Sequence, residues 1–199
     1  MRIGILAIQG DMDLHHRKLR MIGISPLLVK TEGELKRVDG LVLPGGESTT
    51  ISKILERYGL RESLKKRIEE GMPVLATCAG IIILAKKFDK DEPEVKSLGL
   101  LDVKLQRNAY GRQRESFEGP VRLKINDVEK TITGIFIRAP KIIEVGKSVE
   151  ELGWYESDPV LVRQGNILAM TFHPELIDED NSIHDFFVKM VEKKGGRNV

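Results

Sequence analysis

Apolar and polar positions alternate between two periods along the chain. Nearly continuous apolar stretches at residues 2–8, 39–44, 73–77 and 167–172 predict strands covered on both faces, as in a mostly parallel sheet. Between them the period becomes helical. Residues 11–22 predict a helix with an acidic start that Gly23 closes, followed by a strand over 25–30. Ile51, Ile54, Leu55 and Tyr58 share one helical face with Gly59 as a stop, and Leu60, Leu64 and Ile68 repeat the spacing up to Gly71. Residues 79–87 predict a buried helix, apolar on nearly every face at its start. A last helix, capped near Asn181, carries the stripe Ile183, Phe186, Phe187, Met190 and Val191 and ends at Gly195-Gly196. From 98 to 168 the pattern breaks into short β-rich pieces, among them 121–125, 132–137 and 160–163. This reads as an antiparallel region inserted into one three-layer α/β/α domain spanning residues 1–199, with ligands expected at the carboxyl ends of the parallel strands.

Composition narrows the classes. Hydrophobic residues make up 41% of 199, enough for a substantial core, and 32 basic against 30 acidic side chains leave a net charge of only +2. No whole-molecule field would gather nucleic acid or an anionic membrane, so neither is expected as a partner. The apolar stretches are too short for a membrane span or a signal peptide, which predicts a cytoplasmic protein. The one cysteine, Cys78, has no partner for an internal disulfide, so it serves as a thiol if it serves chemically.

Three places carry candidate chemistry. Cys78 stands between an apolar strand and a buried helix, in Ala76-Thr77-Cys78-Ala79-Gly80. Small residues at both second neighbours suit a strained strand-to-helix turn that lifts a nucleophile above a sheet, with the next backbone N–H facing a developing oxyanion. By residue type alone, Cys78 also fits a small buried hydrophobe. Pro44-Gly45-Gly46-Glu47-Ser48-Thr49 again links a strand to a helix, and its paired glycines allow close backbone approach to a ligand or simply form a turn. It satisfies neither nucleotide phosphate motif, and Thr50 stands where a serine nucleophile's elbow needs glycine. Phe172-His173-Pro174-Glu175 ends the last apolar strand; in an extended segment His173 and Glu175 project to one side, as a base and its orienter must, although a structural histidine fits there too. His15, His16 and His184 lack such a context and read as helix-surface or core residues.

In this order, the glycine loop, the cysteine elbow and the His-x-Glu ending resemble the class I glutamine amidotransferase domain. Gly4-Ile-Leu-Ala-Ile-Gln-Gly10, Leu43-Pro-Gly-Gly-Glu-Ser-Thr49, Thr77-Cys-Ala-Gly80, Arg107-Asn-Ala-Tyr-Gly-Arg-Gln113, Gly134-Ile-Phe-Ile-Arg-Ala-Pro140 and Phe172-His-Pro-Glu175 narrow the likeness. Together, over residues 2–192, they resemble the family of glutaminase subunits of pyridoxal 5′-phosphate synthase. The resemblance implies a flavodoxin-like sheet and hydrolysis of L-glutamine to L-glutamate and ammonia. It implies Cys78 as nucleophile, His173 as base and Glu175 as orienter, with Gly46, Glu47, Ser48, Arg107, Ile137 and Arg138 contacting substrate and the N–H groups of Gly46 and Ala79 forming the oxyanion hole. It implies no metal or organic cofactor, and a separate synthase subunit that receives the ammonia. An arginine or two on the inserted loops suits the α-carboxylate of glutamine, although Arg107, Arg112 and Arg138, each taken singly, also read as solvated surface charges.

One departure is Ala76, where the family's elbow usually has glycine; the added methyl is expected to weaken the turn unless φ there is negative. Two other readings share part of the pattern. A cysteine peptidase or deglycase-like hydrolase has the elbow and the sheet but not the His-Pro-Glu ending, and a non-catalytic scaffold would not need all three of Cys78, His173 and Glu175.

Overall fold

The computed structural model describes residues 1–107, 109 and 116–196. In chain order the strands are β1 (Ile3–Leu6), β2 (Leu27–Val29), β3 (Gly40–Leu43), β4 (Val74–Thr77), β5 (Ala85–Phe88), β6 (Leu101–Gln106), β7 (Ser116–Ile125), β8 (Val128–Ile137), β9 (Lys141–Val145), β10 (Glu150–Tyr155), β11 (Asp158–Gln164) and β12 (Ile167–Met170). The helices are α1 (Met12–Met21), α2 (Glu32–Leu35), α3 (Ser48–Arg57), α4 (Leu60–Glu69), α5 (Ala79–Leu84) and α6 (Ser182–Gly195). A nine-stranded sheet runs β2-β1-β3-β4-β12-β11-β10-β7-β8. From β2 to β12 neighbours are parallel, and beyond β12 they are antiparallel.

Strand alternation divides the core into two layers. Leu41, Leu43, Val74, Ala76, Ile167 and Ala169 face one cluster, covered by α3, α4 and α5 through Ile51, Leu55, Leu64, Ile68 and Ile81. Val42, Leu75, Leu168 and Met170 face the other, covered by Leu19 of α1 and Ile183, Phe187 and Val191 of α6. Burying a Leu, Ile or Phe side chain contributes about 1.5–3 kcal/mol each, so both faces need their helices. That is why the four parallel strands β1, β3, β4 and β12 are buried at every position. The β7–β8 hairpin instead alternates, with Val121, Leu123, Ile132 and Phe136 inward. Asn126 and Asp127 turn it with φ of 49° and 61°, the left-handed values a two-residue hairpin needs.

The inserted region is antiparallel as the sequence predicts, but it builds two things. Strands β7, β8, β10 and β11 extend the main sheet, while β5, β6 and β9 form a separate three-stranded sheet. The helix expected over 79–87 stops at Leu84. Ala85 turns extended, and β5 pairs with β6 in parallel, which leaves Lys86 and Lys87 exposed to solvent. A wholly apolar helix suits Ile81 to Leu84 but would bury those two ammonium groups. Helix α2 has no apolar period long enough to predict it, and rests on a capping box in which Thr31 Oγ1 accepts from Glu34 N. Asn181 occupies the N-cap of α6, yet its side chain makes no capping bond; the Asp180 carboxylate takes the N–H of Ser182 instead. Among the described residues no helix is long and apolar enough to cross a membrane.

Candidate active site

The carboxyl ends of β3, β4 and β12 open onto one cavity of about 440 Å³. At the end of β4 the chain must turn at once into α5, and Cys78 takes the strain with φ 47° and ψ −103°, in a region unfavourable for any residue with a Cβ. Its N–H is anchored by Met170 O of β12 at 3.0 Å, and its sulfur lies 3.6 Å from Ile137 O. Space for the turn is ceded by Gly80, where a Cβ would lie 2.5 Å from Leu43 O and 3.2 Å from the Ala76 methyl. Ala76 is an ordinary buried strand residue and is not among those with positive φ, so the departure expected to weaken the elbow is accommodated.

His173 follows β12 and donates its backbone N–H to Ile135 O of β8. The segment is not extended as the sequence suggested: Pro174 fits the first turn of a short 3-10 helix, Pro174–Leu176, because that position needs no N–H. The turn still brings Glu175 Oε1 to 2.7 Å from His173 Nδ1, with both side chains buried. Nε2 of His173 has no hydrogen bond within the protein. Burial disfavours the charged imidazole, but the Cys78 sulfur and the Glu175 carboxylate outweigh it and raise the pKa to about 10. Burial likewise opposes charge on Glu175, and the imidazoles of His15 and His173 more than offset this, holding its carboxyl at about 2.

The glycine loop lies against these groups. A Cβ at Gly45 would come within 2.6 Å of His173 Cε1 and 3.3 Å of Cys78 Cβ. The Gly45 N–H is fixed by Thr77 Oγ1 at 3.0 Å, and the Glu47 N–H by Gln9 Oε1 at 2.9 Å. The Glu47 side chain caps α3, accepting from Thr49 N and Thr50 N at 3.0 and 2.7 Å. Although burial disfavours its charge, the Thr50 and Thr49 hydrogen bonds dominate and lower its pKa to about 2.

Gly46, Glu47, Ser48, Cys78, Ala79, Arg107, Ile137, Arg138 and His173 all line the cavity. The structure therefore gathers the residues predicted for substrate, oxyanion and nucleophile, with Glu175 behind His173. Arg107 is held at the cavity by Glu92 at 2.6 Å and by Glu47 at 4.0 Å. Arg112 lies outside the described residues, as do Asn108, Tyr110, Gly111 and Gln113 of the same motif. Asp11, His173 and Glu175 bring possible metal-ligand atoms within 4.8 Å of one another, but a cation there would compete with the His173–Glu175 hydrogen bond. Sequence reading missed Gln9 as a loop support and His15 as a neighbour of Glu175, 3.4 Å from its Oε2. The signal for Gln9 was its place directly after a buried strand; for His15, three residues into an amphipathic helix, there was none.

Comparison with known proteins agrees with this geometry. Residues 5–193 match the SNO glutamine amidotransferase family. The chain is 52% identical over 192 residues to the pyridoxal 5′-phosphate synthase subunit PdxT of Thermotoga petrophila, spanning 96% of this chain and 100% of that protein. Identity to PdxT of Pyrococcus furiosus is 48% over 197 residues, spanning 96% and 98%. A crystal structure of a glutamine amidotransferase superposes with a TM-score of 0.89 at 41% identity, covering 96% of this chain and 100% of that one. Likeness of this extent, in sequence and in fold alike, settles kinship: the chain belongs to the SNO glutamine amidotransferase family.

Proposed function

We propose that the chain hydrolyses the side-chain amide of L-glutamine and, as the glutaminase subunit of pyridoxal 5′-phosphate synthase, supplies the ammonia to the synthase subunit. The observation that carries the chemistry is a buried His173 whose Nδ1 is 2.7 Å from Glu175 while Nε2 stays free beside Cys78 at the cavity wall. Its PdxT relatives support the assignment to a vitamin B6 enzyme.

The Cys78 sulfur attacks the amide carbon. The electron pair of the C=O bond moves to oxygen, and the N–H groups of Gly46 and Ala79 stabilise that oxyanion. His173 gives its proton to the amide nitrogen, the C–N bond breaks, ammonia leaves, and a γ-glutamyl thioester remains on Cys78. His173, now neutral, takes a proton from water as its oxygen attacks the thioester carbon. Collapse releases L-glutamate and returns the electron pair to sulfur. Glu175 keeps the Nδ1 proton in place throughout and offsets the imidazolium charge. Arg107 suits the substrate α-carboxylate, and Glu47, Ser48, Ile137 and Arg138 complete the walls.

The 199 residues work as one domain, supported by the sheet that runs unbroken from the parallel strands into the inserted ones. A thiol nucleophile is preserved by a reducing compartment, which supports a cytoplasmic location. Glutamate and ammonia production, measured with the synthase subunit present, tests the reading. Cys78→Ala should abolish it while the two proteins still associate; persistent ammonia release from that variant would remove Cys78 from the mechanism.

A further inference from the structure

Next to Glu175 lies a buried polar cluster that the mechanism above leaves unused. His15 comes from α1, His184 from α6 and Thr77 from the end of β4, and each has 0% exposure. His15 Nδ1 is 3.1 Å from His184 Nε2. His15 Nε2 is 3.3 Å from Thr77 Oγ1 and 3.4 Å from Glu175 Oε2. Thr77 Oγ1 in turn holds the Gly45 N–H at 3.0 Å. One imidazole thus stands between the carboxylate that orients His173 and the hydroxyl that anchors the glycine loop.

Burial disfavours the charged form of both imidazoles. Burial lowers the pKa of His15 against the pull of Glu175, and burial, reinforced by His15, lowers that of His184 to about 3. Two proton placements then compete. In the first, His15 carries its hydrogen on Nδ1, turns a lone pair toward the Glu175 carboxylate, and leaves His184 with a hydrogen on Nδ1. That atom has no partner in the protein, and a buried unpaired donor costs about 1–3 kcal/mol. In the second, His15 carries its hydrogen on Nε2, facing Glu175 Oε2 and Thr77 Oγ1, and accepts at Nδ1 from His184 Nε2–H. The His184 Nδ1 lone pair and the Thr77 hydroxyl hydrogen are then unpaired, since Thr77 Oγ1 accepts from both His15 Nε2 and Gly45 N, and what favours this placement is attraction in place of repulsion at the buried Glu175 carboxylate.

We propose that His15 is a positioning residue for glutamine hydrolysis: a single N–H at Nε2, fixed there by His184, ties the Glu175 carboxylate to Thr77 and, through Thr77, to the glycine loop. The inference rests on the glutaminase reading. It gives Glu175 Oε2, which has no hydrogen bond in the protein, an attractive neighbour 3.4 Å away. It also couples the aim of His173 to the placement of Gly45 beside it. The base and the loop that faces the oxyanion are set by one buried group.

The test measures glutamate release as a function of glutamine concentration, with the synthase subunit bound, for the wild-type chain, His15→Ala, His15→Gln and Thr77→Val. Partners that orient metal-ligating histidines are worth about 10–100-fold in activity, and by the same logic His15→Ala, which removes a partner of the group orienting His173, should lower kcat by about that factor. KM should move by less than about twofold, since His15 touches no substrate. Glutamine can present an N–H near the place of Nε2, and His15→Gln should recover most of the lost kcat. Thr77→Val keeps the volume, removes the hydroxyl, and should lower kcat about tenfold. Wild-type kcat in His15→Ala, or a His15→Gln chain no faster than the alanine chain, overturns the proposal. Should His15→Ala fail to fold, Thr77→Val decides, and wild-type kcat there overturns it. Absence of glutamate release from the wild-type complex would instead defeat the glutaminase reading, before any variant is compared.

Discussion

The two halves of the nine-stranded sheet bury their residues in different ways, and the difference explains where chemistry sits. Strands β1, β3, β4 and β12 are four residues long and buried at every position, because helices cover both faces. A side chain can reach a ligand there only beyond the last residue of a strand, and Cys78, Gly45 and His173 all occupy such places. The β7–β8 hairpin is ten residues a side and exposes alternate positions. Its contribution to the triad is backbone: Ile135 O takes the His173 N–H, and Ile137 O lies 3.6 Å from the Cys78 sulfur. The parallel half holds the reacting groups, and the antiparallel half meets the triad through carbonyls, which depend little on side-chain identity.

The sharpest way to test that division is Glu175→Gln. Removing the carboxylate that orients a catalytic histidine costs on the order of 10⁴ in kcat, about 5.5 kcal/mol of transition-state stabilisation. Stability follows with a definite sign. The folded pKa of Glu175, about 2, lies below its ordinary value of 4.5, so its stabilisation is present above 4.5 and is lost as pH falls toward 2. Denaturant melts at several pH values should show the glutamine variant less stable than wild type at pH 7, with the gap closing below pH 4.5. A gap that stays constant would mean that the carboxylate is not held in its charged form.

Leu123→Ala probes the other half. Leu123 is 1% exposed in β7, and truncation should cost about 2–5 kcal/mol of stability. The folded fraction should keep kcat within about twofold, since no reacting group is displaced. A hundredfold fall in kcat at full occupancy of the folded state would erase the distinction between the two halves. Gly45→Ala should act on kcat instead. Its methyl would stand 2.6 Å from His173 Cε1, and that ring cannot swing aside while Glu175 holds it at 2.7 Å. A misplacement of about 1 Å lowers kcat about 100-fold, while the overpacking costs about 1–3 kcal/mol of stability.

The same contrast governs what the sequence makes legible. Continuous apolar stretches reveal β1, β3, β4 and β12, and the small residues around Cys78 reveal the elbow, because both signals are local. The β5 strand is hidden in a run that looks helical up to Leu84, since its partner is Leu101 to Leu105, many residues on. His173 and Glu175 are visible as a pair because they are two apart, although Pro174 joins them through a 3-10 turn in place of the expected extended segment. His15 gives no sign in sequence: its partners are Thr77, Glu175 and His184, brought together only by the packing of α1 and α6 on one face of the sheet.

Ala76→Gly should have the smallest effect, and it separates two accounts of the elbow. If the strained turn needed backbone freedom two residues before the nucleophile, glycine there would raise turnover. The structure puts the positive φ on Cys78 and the missing Cβ at Gly80, while Ala76 stays a regular strand residue paired with Leu43 and Ala169. Glycine at 76 therefore gains nothing that the fold uses, and glutamate release should remain within about twofold of wild type. It should still cost about 1–2 kcal/mol of stability, from backbone entropy and one lost buried methyl, which lowers the melting temperature by about 2–8 °C. A tenfold rise in turnover would show that the methyl does restrain the elbow, and that strain at Cys78 is shared with the strand that delivers it.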